Sequence, residues 1–305
     1  MRVAAVDCGT NSIRLLIADV RDGSLTDVAR VMTVVRLGED VDVTGRLAPA
    51  ALDRTWAAVE DYAERIREAG VAATRMVATS AARDAQNADI FLQGVVARLG
   101  VLPEVISGDE EAQLSFLGAA SAVAVPGTVA VVDIGGGSTE FVVGASGVLA
   151  ADSEDVGCVR MTERHLVSDP PTSAQIDAAT ADIDAAIRVA KHRTSFDRAG
   201  RLIGLAGSVT TVAALALGLP EYDARSIHGS SISAEQVHRV AEQMLAATRD
   251  QRAAEPVMHP GRVDVIGGGA LILDRIMQLG GFEEVIASEH DILDGIALRL
   301  ASTTQ

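Results

Sequence analysis

VAAVDCGTNS at residues 3–12 and VAVVDIGGGS at residues 129–138 decide the fold. At a shift of 126 residues, six of the ten positions are identical: Val3/Val129, Ala4/Ala130, Val6/Val132, Asp7/Asp133, Gly9/Gly135 and Ser12/Ser138. Each copy is an apolar run, an aspartate, a glycine-containing turn and a second apolar run, Ile13 to Ala18 in one and Phe141 to Val143 in the other. Such a pattern reads as a strand, a tight turn and an antiparallel strand. A hairpin repeated at the head of each half predicts two related α/β domains. The expected boundaries are 1–124 and 125–305, with Pro126-Gly127 punctuating the junction.

Outward from the first hairpin, residues 26–35 read as a third strand. Pro49 can open a helix in which Leu52, Trp56, Val59, Tyr62 and Ile66 recur at helical spacing, with Gly70 as its stop. A strand over Arg75 to Thr79, a helix over Asn87 to Leu99 and a strand over Glu104 to Ile106 follow. Asp109 can cap a helix running to about Val123. The second half repeats the plan. Strands are expected near 128–134, 138–144 and 148–154, a helix from Ser173 to about His192, and a strand at 201–206 feeding Gly207-Ser208 and a helix. A helix near 233–249 and a strand at 263–266 come next. That last strand is expected to turn at Gly267-Gly268-Gly269 into a helix ending at Leu279, and a final helix covers about 291–302.

Composition narrows the function. The chain has 305 residues, 48 % apolar and 22 % charged, enough for about two packed domains. Acids outnumber bases 42 to 26, for a net charge of −16. Lys191 is the one lysine among those bases, aromatics are 3 %, and no basic run occurs, so no DNA-binding footprint is present. An anionic ligand must then be drawn by a local pocket, a metal ion or backbone amides rather than by the global field. Cys8 and Cys158 lie in unlike contexts, so no structural disulfide and a reducing cytoplasm are expected. The N-terminus MRVAAVDCG does not read as a secretory signal. The uncharged stretch Gly204 to Pro220 is 17 residues and fits a strand, turn and helix better than a membrane span.

The residues that can carry chemistry cluster in the turns. Gly135, Gly136 and Gly137 expose backbone N–H groups that suit a phosphate, and Ser138 and Thr139 add hydroxyl donors. Asp133 and Glu140 can face one another across the turn, and paired hard oxygens beside a phosphate suit Mg²⁺ or another divalent cation. The first copy offers Gly9, Thr10, Asn11 and Ser12 as phosphate-binding residues and Asp7 as a further metal-side acid. Where the second copy has Glu140, the first has the cation Arg14. In Ser107-Gly-Asp-Glu-Glu-Ala112, three acids open a helix, which favours the helix dipole, and one glutamate can also serve as a general base for a water attacking phosphorus. Arg83 suits phosphate binding, or a solvated surface. Gly207 and Ser208 open a helix whose N-terminus could hold an anion. No GxxxxGK[ST], HExxH, CxxC or GxSxG motif is present. The six histidines show no second ligand pair at useful spacing, and His290 reads as a helix-start residue.

The segments VAAVDCGTNSIRLLIAD (3–19), ATSAARDAQNA (78–88), EVISGDEEAQLSF (104–116), VAVVDIGGGSTEFVVG (129–144), GCVRMTE (157–163), GLAGSVTT (204–211) and VIGGGALIL (265–273) together resemble the exopolyphosphatase/guanosine pentaphosphatase family, within the actin-like ATPase superfamily. The resemblance covers almost the whole chain and is most specific where ISGDEEA accompanies DIGGGSTE. It implies two ribonuclease-H-like domains with an interdomain phosphate cleft, often in a homodimer. It also implies Mg²⁺-assisted release of the terminal phosphate from polyphosphate or guanosine pentaphosphate. By position it makes Glu111 the general base and Asp133 and Glu140 the metal-side acids. The loop glycines and Ser138 would cradle the phosphate, with Asn11 opposite and Arg83 as a phosphate ligand. The chain is similar to the short form of the family, without the helical C-terminal module of long members, which favours short-chain or nucleotide substrates. Two other functions fit the same fold: an ATP-dependent small-molecule kinase, and a phosphate or alarmone sensor without turnover.

Overall fold

The structure, a computed structural model, describes residues 1–122 and 127–303. The expected boundary at 124/125, the residue Pro126 and the expected helix end at Val123 fall outside the described residues. The chain forms two compact units, Met1–Ser121 with Asp291–Gln305, and Ala122–His290.

The first unit is a five-stranded sheet of β1 (Arg2–Cys8), β2 (Ser12–Arg21), β3 (Ser24–Val34), β4 (Ala73–Ala78) and β5 (Glu104–Val105). Its order is β3-β2-β1-β4-β5, with β1, β2 and β3 antiparallel in turn and β4 and β5 parallel to β1. Side chains alternate across a strand, so β1 is buried on both faces. Ala4, Val6 and Cys8 pack with Tyr62 and Phe91 of the helices Pro49–Glu68 and Ala88–Leu99. Val3 and Ala5 pack with Leu114 of the helix Gly108–Ala122 and with Ile292, Leu293 and Ile296 of the helix Ile292–Thr303. Asp7 follows this odd-numbered alternation. The expected second domain included the last helix. In the structure that helix instead covers one face of the first sheet, because its apolar stripe completes a core that Leu114 alone leaves open.

The second unit repeats the order. Its sheet holds β6 (Val129–Ile134), β7 (Thr139–Gly144), β8 (Val148–Glu154), β9 (Arg201–Leu205), β10 (Ser231–Ser233) and β11 (Glu284–Ala287), arranged β10-β11-β9-β6-β7-β8. Strands β6, β7 and β8 are antiparallel in turn, while β9 runs parallel to β6 and β11 parallel to β9. The core order is that of the first sheet with one antiparallel edge strand, β10, added. The two units are related α/β folds, as the repeat predicted, and ribonuclease-H-like, as the resemblance implied.

Three local expectations are corrected. No strand forms at 263–266; a short 3₁₀ turn, Pro260–Arg262, leads directly into the helix Ile266–Gly280. Its three glycines are helical and buried, and they serve close packing rather than a turn: a Cβ at Gly269 would lie 2.7 Å from Ser208 Cβ, and one at Gly268 2.8 Å from Thr162 Oγ1. The parallel strand instead comes later, as β11. At the helix Gly108–Ala122 the capping residue is Ser107, whose Oγ accepts from Glu110 N–H at 3.2 Å, so Asp109 sits inside the first turn. Cys8 and Cys158 are buried and not in a disulfide. Burial pushes both thiols above their ordinary range, which disfavours the reactive thiolate.

The edge strand β8 carries a pair of carboxylates. Asp152 and Glu154 project from one face and share Arg193, whose Nη1 donates to them at 2.9 and 3.5 Å. Burial, then the hydrogen bond to and repulsion from Asp152, push Glu154 up to about 7, against a pull down from Arg193. Between its ordinary value near 4.5 and 7, the native chain holds a proton that the unfolded chain has released. Stability from this site is therefore present at low pH and falls as pH rises through that window. Urea midpoints at pH 5 and pH 7.5 should show a smaller decline with pH in Glu154→Gln than in the unmodified chain. Identical declines would mean that Glu154 does not hold the proton.

Candidate active site

The second hairpin is the most built part of the molecule. Register places Asp133 directly opposite Glu140, and both are buried, at 7 % and 1 % exposure. Directly opposed cross-strand residues have Cβ atoms about 5 Å apart, so two carboxylates share one small volume. Ser153 on β8 donates to Glu140 Oε1 at 2.8 Å.

The turn between them is held from behind. The helix Cys158–His165 brings its N-terminus against the loop carbonyls. Cys158 N–H donates to Gly135 O at 2.9 Å, Val159 and Arg160 N–H to Gly136 O at 2.9 and 3.1 Å, and Arg160 Nε to Gly137 O at 2.8 Å. In a trans peptide the C=O and the following N–H point in opposite directions. Three carbonyls turned toward this helix therefore turn the N–H groups of Gly136, Gly137 and Ser138 the other way, the orientation that an anion nest requires. Gly135 N–H is spent inside the turn, on Ser138 O at 3.0 Å. The outward amides are thus those of residues 136–138, and Gly135 of the expected 135–137 has its N–H engaged within the turn. Gly157 makes the approach possible, because a Cβ there would fall within 2.5 Å of Gly137 N.

Sequence reasoning passed over Gly157 and Arg160. Their segment, GCVRMTE, stands out in the sequence only as part of the family resemblance, and its spacing from the loop gives no sign that it lies behind it. Arg160→Ala should raise KM for a phosphate substrate about tenfold, the loss of one charge-assisted hydrogen bond of roughly 1.5 kcal/mol. An unchanged KM in steady-state kinetics would show that the loop keeps its geometry without that bond.

At the helix Ala206–Ala216, Gly207 and Ser208 sit in a more closed setting than an open anion site. Arg262 lies over Gly207, its Nη1 donating to Gly207 O at 2.5 Å and to Thr211 Oγ1 at 2.8 Å. Ser208 is buried beside Gly269 and Cys158. The cation at this helix start, Arg262, is a third residue that sequence reasoning missed. It stands 55 positions away in the chain.

In the first unit the hairpin turn closes like its counterpart, with Gly9 N–H on Ser12 O at 3.0 Å. Thr10 Oγ1 pairs with Ser80 Oγ at 2.8 Å, and Asn11 O accepts from Val35 and Arg36 N–H at 3.1 and 2.8 Å. These bonds tie the turn to the short helix Ser80–Asp84 and to the end of β3. Arg83, on that short helix, donates through Nη1 to Ile106 O at 3.0 Å and to Glu111 Oε2 at 3.2 Å. The expected base and the expected phosphate ligand are therefore in contact. Glu110 turns away to Arg75 at 2.8 Å, which leaves Glu111, 8 % exposed, as the buried acid of the first turn. Asp7 was expected on the metal side. The structure gives its Oδ2 to Arg14 instead, at 2.6 Å from Nη2 and 3.1 Å from Nε. Burial outweighs that cation and pushes the Asp7 carboxyl above its ordinary range.

Asp133 and Glu140 also suit Mg²⁺. Among the described residues no three His, Cys, Asp or Glu side chains come together as a protein-built cage. Mg²⁺ does not need one, since it commonly takes one or two carboxylates, several waters and the phosphate oxygens of a substrate.

Two ribonuclease-H-like units, each headed by an Asp-bearing glycine hairpin, place the chain among proteins of the actin-like ATPase fold. The family model of the Ppx/GppA phosphatase family matches residues 16–303. Exopolyphosphatase 2 of Mycobacterium tuberculosis (strain CDC 1551 / Oshkosh) is 48 % identical over 314 residues, covering 98 % of both chains. The guanosine-5'-triphosphate,3'-diphosphate pyrophosphatase of Pseudoalteromonas atlantica is 39 % identical over 187 residues, 60 % of this chain and 37 % of that one. Among solved structures, an exopolyphosphatase-like protein superposes with a TM-score of 0.97 at 44 % identity, covering 100 % of this chain and 99 % of that one. The Aquifex aeolicus Ppx/GppA family member superposes at 0.84 and 30 %, over 100 % and 99 %. The chain belongs to the Ppx/GppA phosphatase family and is a phosphoanhydride hydrolase. No helix among the described residues is long and apolar enough to cross a membrane.

Proposed function

We propose that this chain is an exopolyphosphatase, releasing the terminal phosphate of inorganic polyphosphate with the help of Mg²⁺, as a cytoplasmic homodimer. The observation that carries the reading is the loop whose three carbonyls are bound from behind, which turns the amides of Gly136, Gly137 and Ser138 to the opposite side, as a phosphate cradle needs. Exopolyphosphatase 2, similar over 98 % of its length, supports polyphosphate as the substrate class.

In the proposed mechanism these amides bind the terminal phosphate, and preorganised N–H groups gain strength as charge builds on its oxygens. Asp133 and Glu140 would hold Mg²⁺, which supplies Lewis-acid neutralisation of the phosphate charge. Glu111 accepts the proton of the attacking water, and Arg83 fixes its carboxylate. The hairpin residues Gly9 to Ser12 assist phosphate binding through their amides and hydroxyls. Arg262, lying across Gly207, places a cation at the second helix start, and we assign Gly207 and Ser208 to shaping that corner.

A second substrate, guanosine pentaphosphate, is favoured by the Pseudoalteromonas relative. It ends in the same phosphoanhydride. Phosphate release with Mg²⁺ should be compared across short-chain polyphosphate, long-chain polyphosphate, guanosine pentaphosphate and ATP at matched terminal-phosphate concentration. Release chiefly from polyphosphate supports the proposal. Release chiefly from guanosine pentaphosphate replaces it with an alarmone phosphatase. Phosphoryl transfer from ATP to an added alcohol or carboxylate would make the chain a kinase, and binding without release a sensor.

A further inference from the structure

The two hairpins differ at one decisive position. Asp7 faces Arg14 across β1 and β2 at the ladder position where Asp133 faces Glu140 across β6 and β7. The turns are closed by the same Gly N–H to Ser O bond, and the two aspartates are similarly buried. Only the facing charge is reversed. Arg14 is fixed on both sides: Nη2 and Nε bind Asp7 Oδ2, and Nη1 binds Asp291 Oδ2. Asp291 is itself committed, its Oδ1 accepting from Leu293 N–H at 3.0 Å at the start of the last helix. The side chains of Asp7 and Asp291 are 5 % and 7 % exposed. Two such carboxylates side by side repel one another in a buried setting, and the guanidinium between them supplies a fixed positive charge.

We propose that Arg14 is a built-in counter-ion. It stands in the first hairpin where the second takes its divalent cation, so that the chain holds a single divalent ion at Asp133 and Glu140 and Asp7 is not among its ligands. The proposal rests on the metal-binding reading of the second hairpin. A divalent ion at Asp7 would lie against a fixed positive charge in a buried setting, where repulsion is little screened. One oxygen of Asp7, Oδ1, is buried without a hydrogen-bond partner. Beside Arg14 it suits a neutral hydrogen-bond donor, not a second cation.

Mn²⁺ binding to the full chain, counted by electron paramagnetic resonance of the unbound ion, tests this directly, with phosphate release from polyphosphate followed in parallel. The expected result is about one Mn²⁺ per chain, weakened tenfold or more in Glu140→Gln and changed less than about twofold in Asp7→Asn. In Arg14→Gln, Asp7 and Asp291 lose their cation, and a second Mn²⁺ should bind; an arginine that merely anchors the last helix would leave the count unchanged. A tenfold loss of affinity in Asp7→Asn, or two ions in the unmodified chain, overturns the proposal. If Arg14→Gln does not fold, Asp7→Asn decides. No Mn²⁺ bound to the unmodified chain overturns the metal reading and the proposal together. One Mn²⁺, lost in Glu140→Gln and kept in Asp7→Asn, with no phosphate released, supports the proposal and overturns the exopolyphosphatase reading.

Discussion

Glu111→Gln should lower kcat for phosphate release by about 10² to 10⁴, the range expected when a general base is removed, while KM changes little. Glu111 lies in the first turn of the helix Gly108–Ala122, buried, with Arg83 on Oε2 at 3.2 Å. Glutamine keeps the shape and an oxygen that can still accept from Arg83, but it cannot take a proton from water. The fold should be untouched, because Ser107 still caps the helix and Arg83 still donates to Ile106 O. Thermal denaturation of the variant therefore separates lost chemistry from lost structure. A variant with normal melting and normal turnover would remove Glu111 from the mechanism.

Gly157→Ala should lower kcat/KM on the order of 10²-fold, because a shift of about 1 Å in a positioning element costs that much. The added methyl would sit within 2.5 Å of Gly137 N, and its obstacle is backbone, which has no rotamer to yield. The helix Cys158–His165 must then back away from the loop, stretching the bonds from Cys158, Val159 and Arg160 that aim the three amides. Overpacking of this kind also costs about 1–3 kcal/mol of stability. The effect should exceed that of Arg160→Ala, which removes one of these bonds and leaves the others. Near-normal kcat/KM in Gly157→Ala would show that the amides keep their aim without this helix, and would remove the main support for the nest.

Much of the site was legible because its signals are local. An aspartate followed by a glycine turn and a return strand requires only a few consecutive residues, and the repeat at 126 residues tells the reader to expect it twice. The hairpins duly form in the register that sets Asp7 against Arg14 and Asp133 against Glu140. The glycines at 267–269 were misread because glycine signals two different things: a turn, or a place where another element comes too close for a Cβ. Only the neighbours, Ser208 and Thr162, tell these apart. The short strand β11 lacked a pattern long enough to register, and the triplet ahead of it drew the strand to the wrong place. Asp109 and Ser107 are both good caps by type, and the choice between them came from which oxygen reached Glu110 N–H.

By itself, then, the sequence determined that two sheets of one kind would form, where each hairpin would turn, and which residue types would stand at each turn. These follow from side-chain alternation, glycine freedom and apolar spacing, all of which act over a few residues. Tertiary structure alone decided the rest. It set which way the loop amides face, because their carbonyls are claimed by a helix about 20 residues further on. It decided that Glu111 rather than Glu110 is the buried acid, because Arg75 and Arg83 divide them. It also returned the last helix to the first unit, where Asp291 meets Arg14 across 277 positions of chain. Burial and electrostatics act through space, and no spacing along the chain encodes which distant group will arrive.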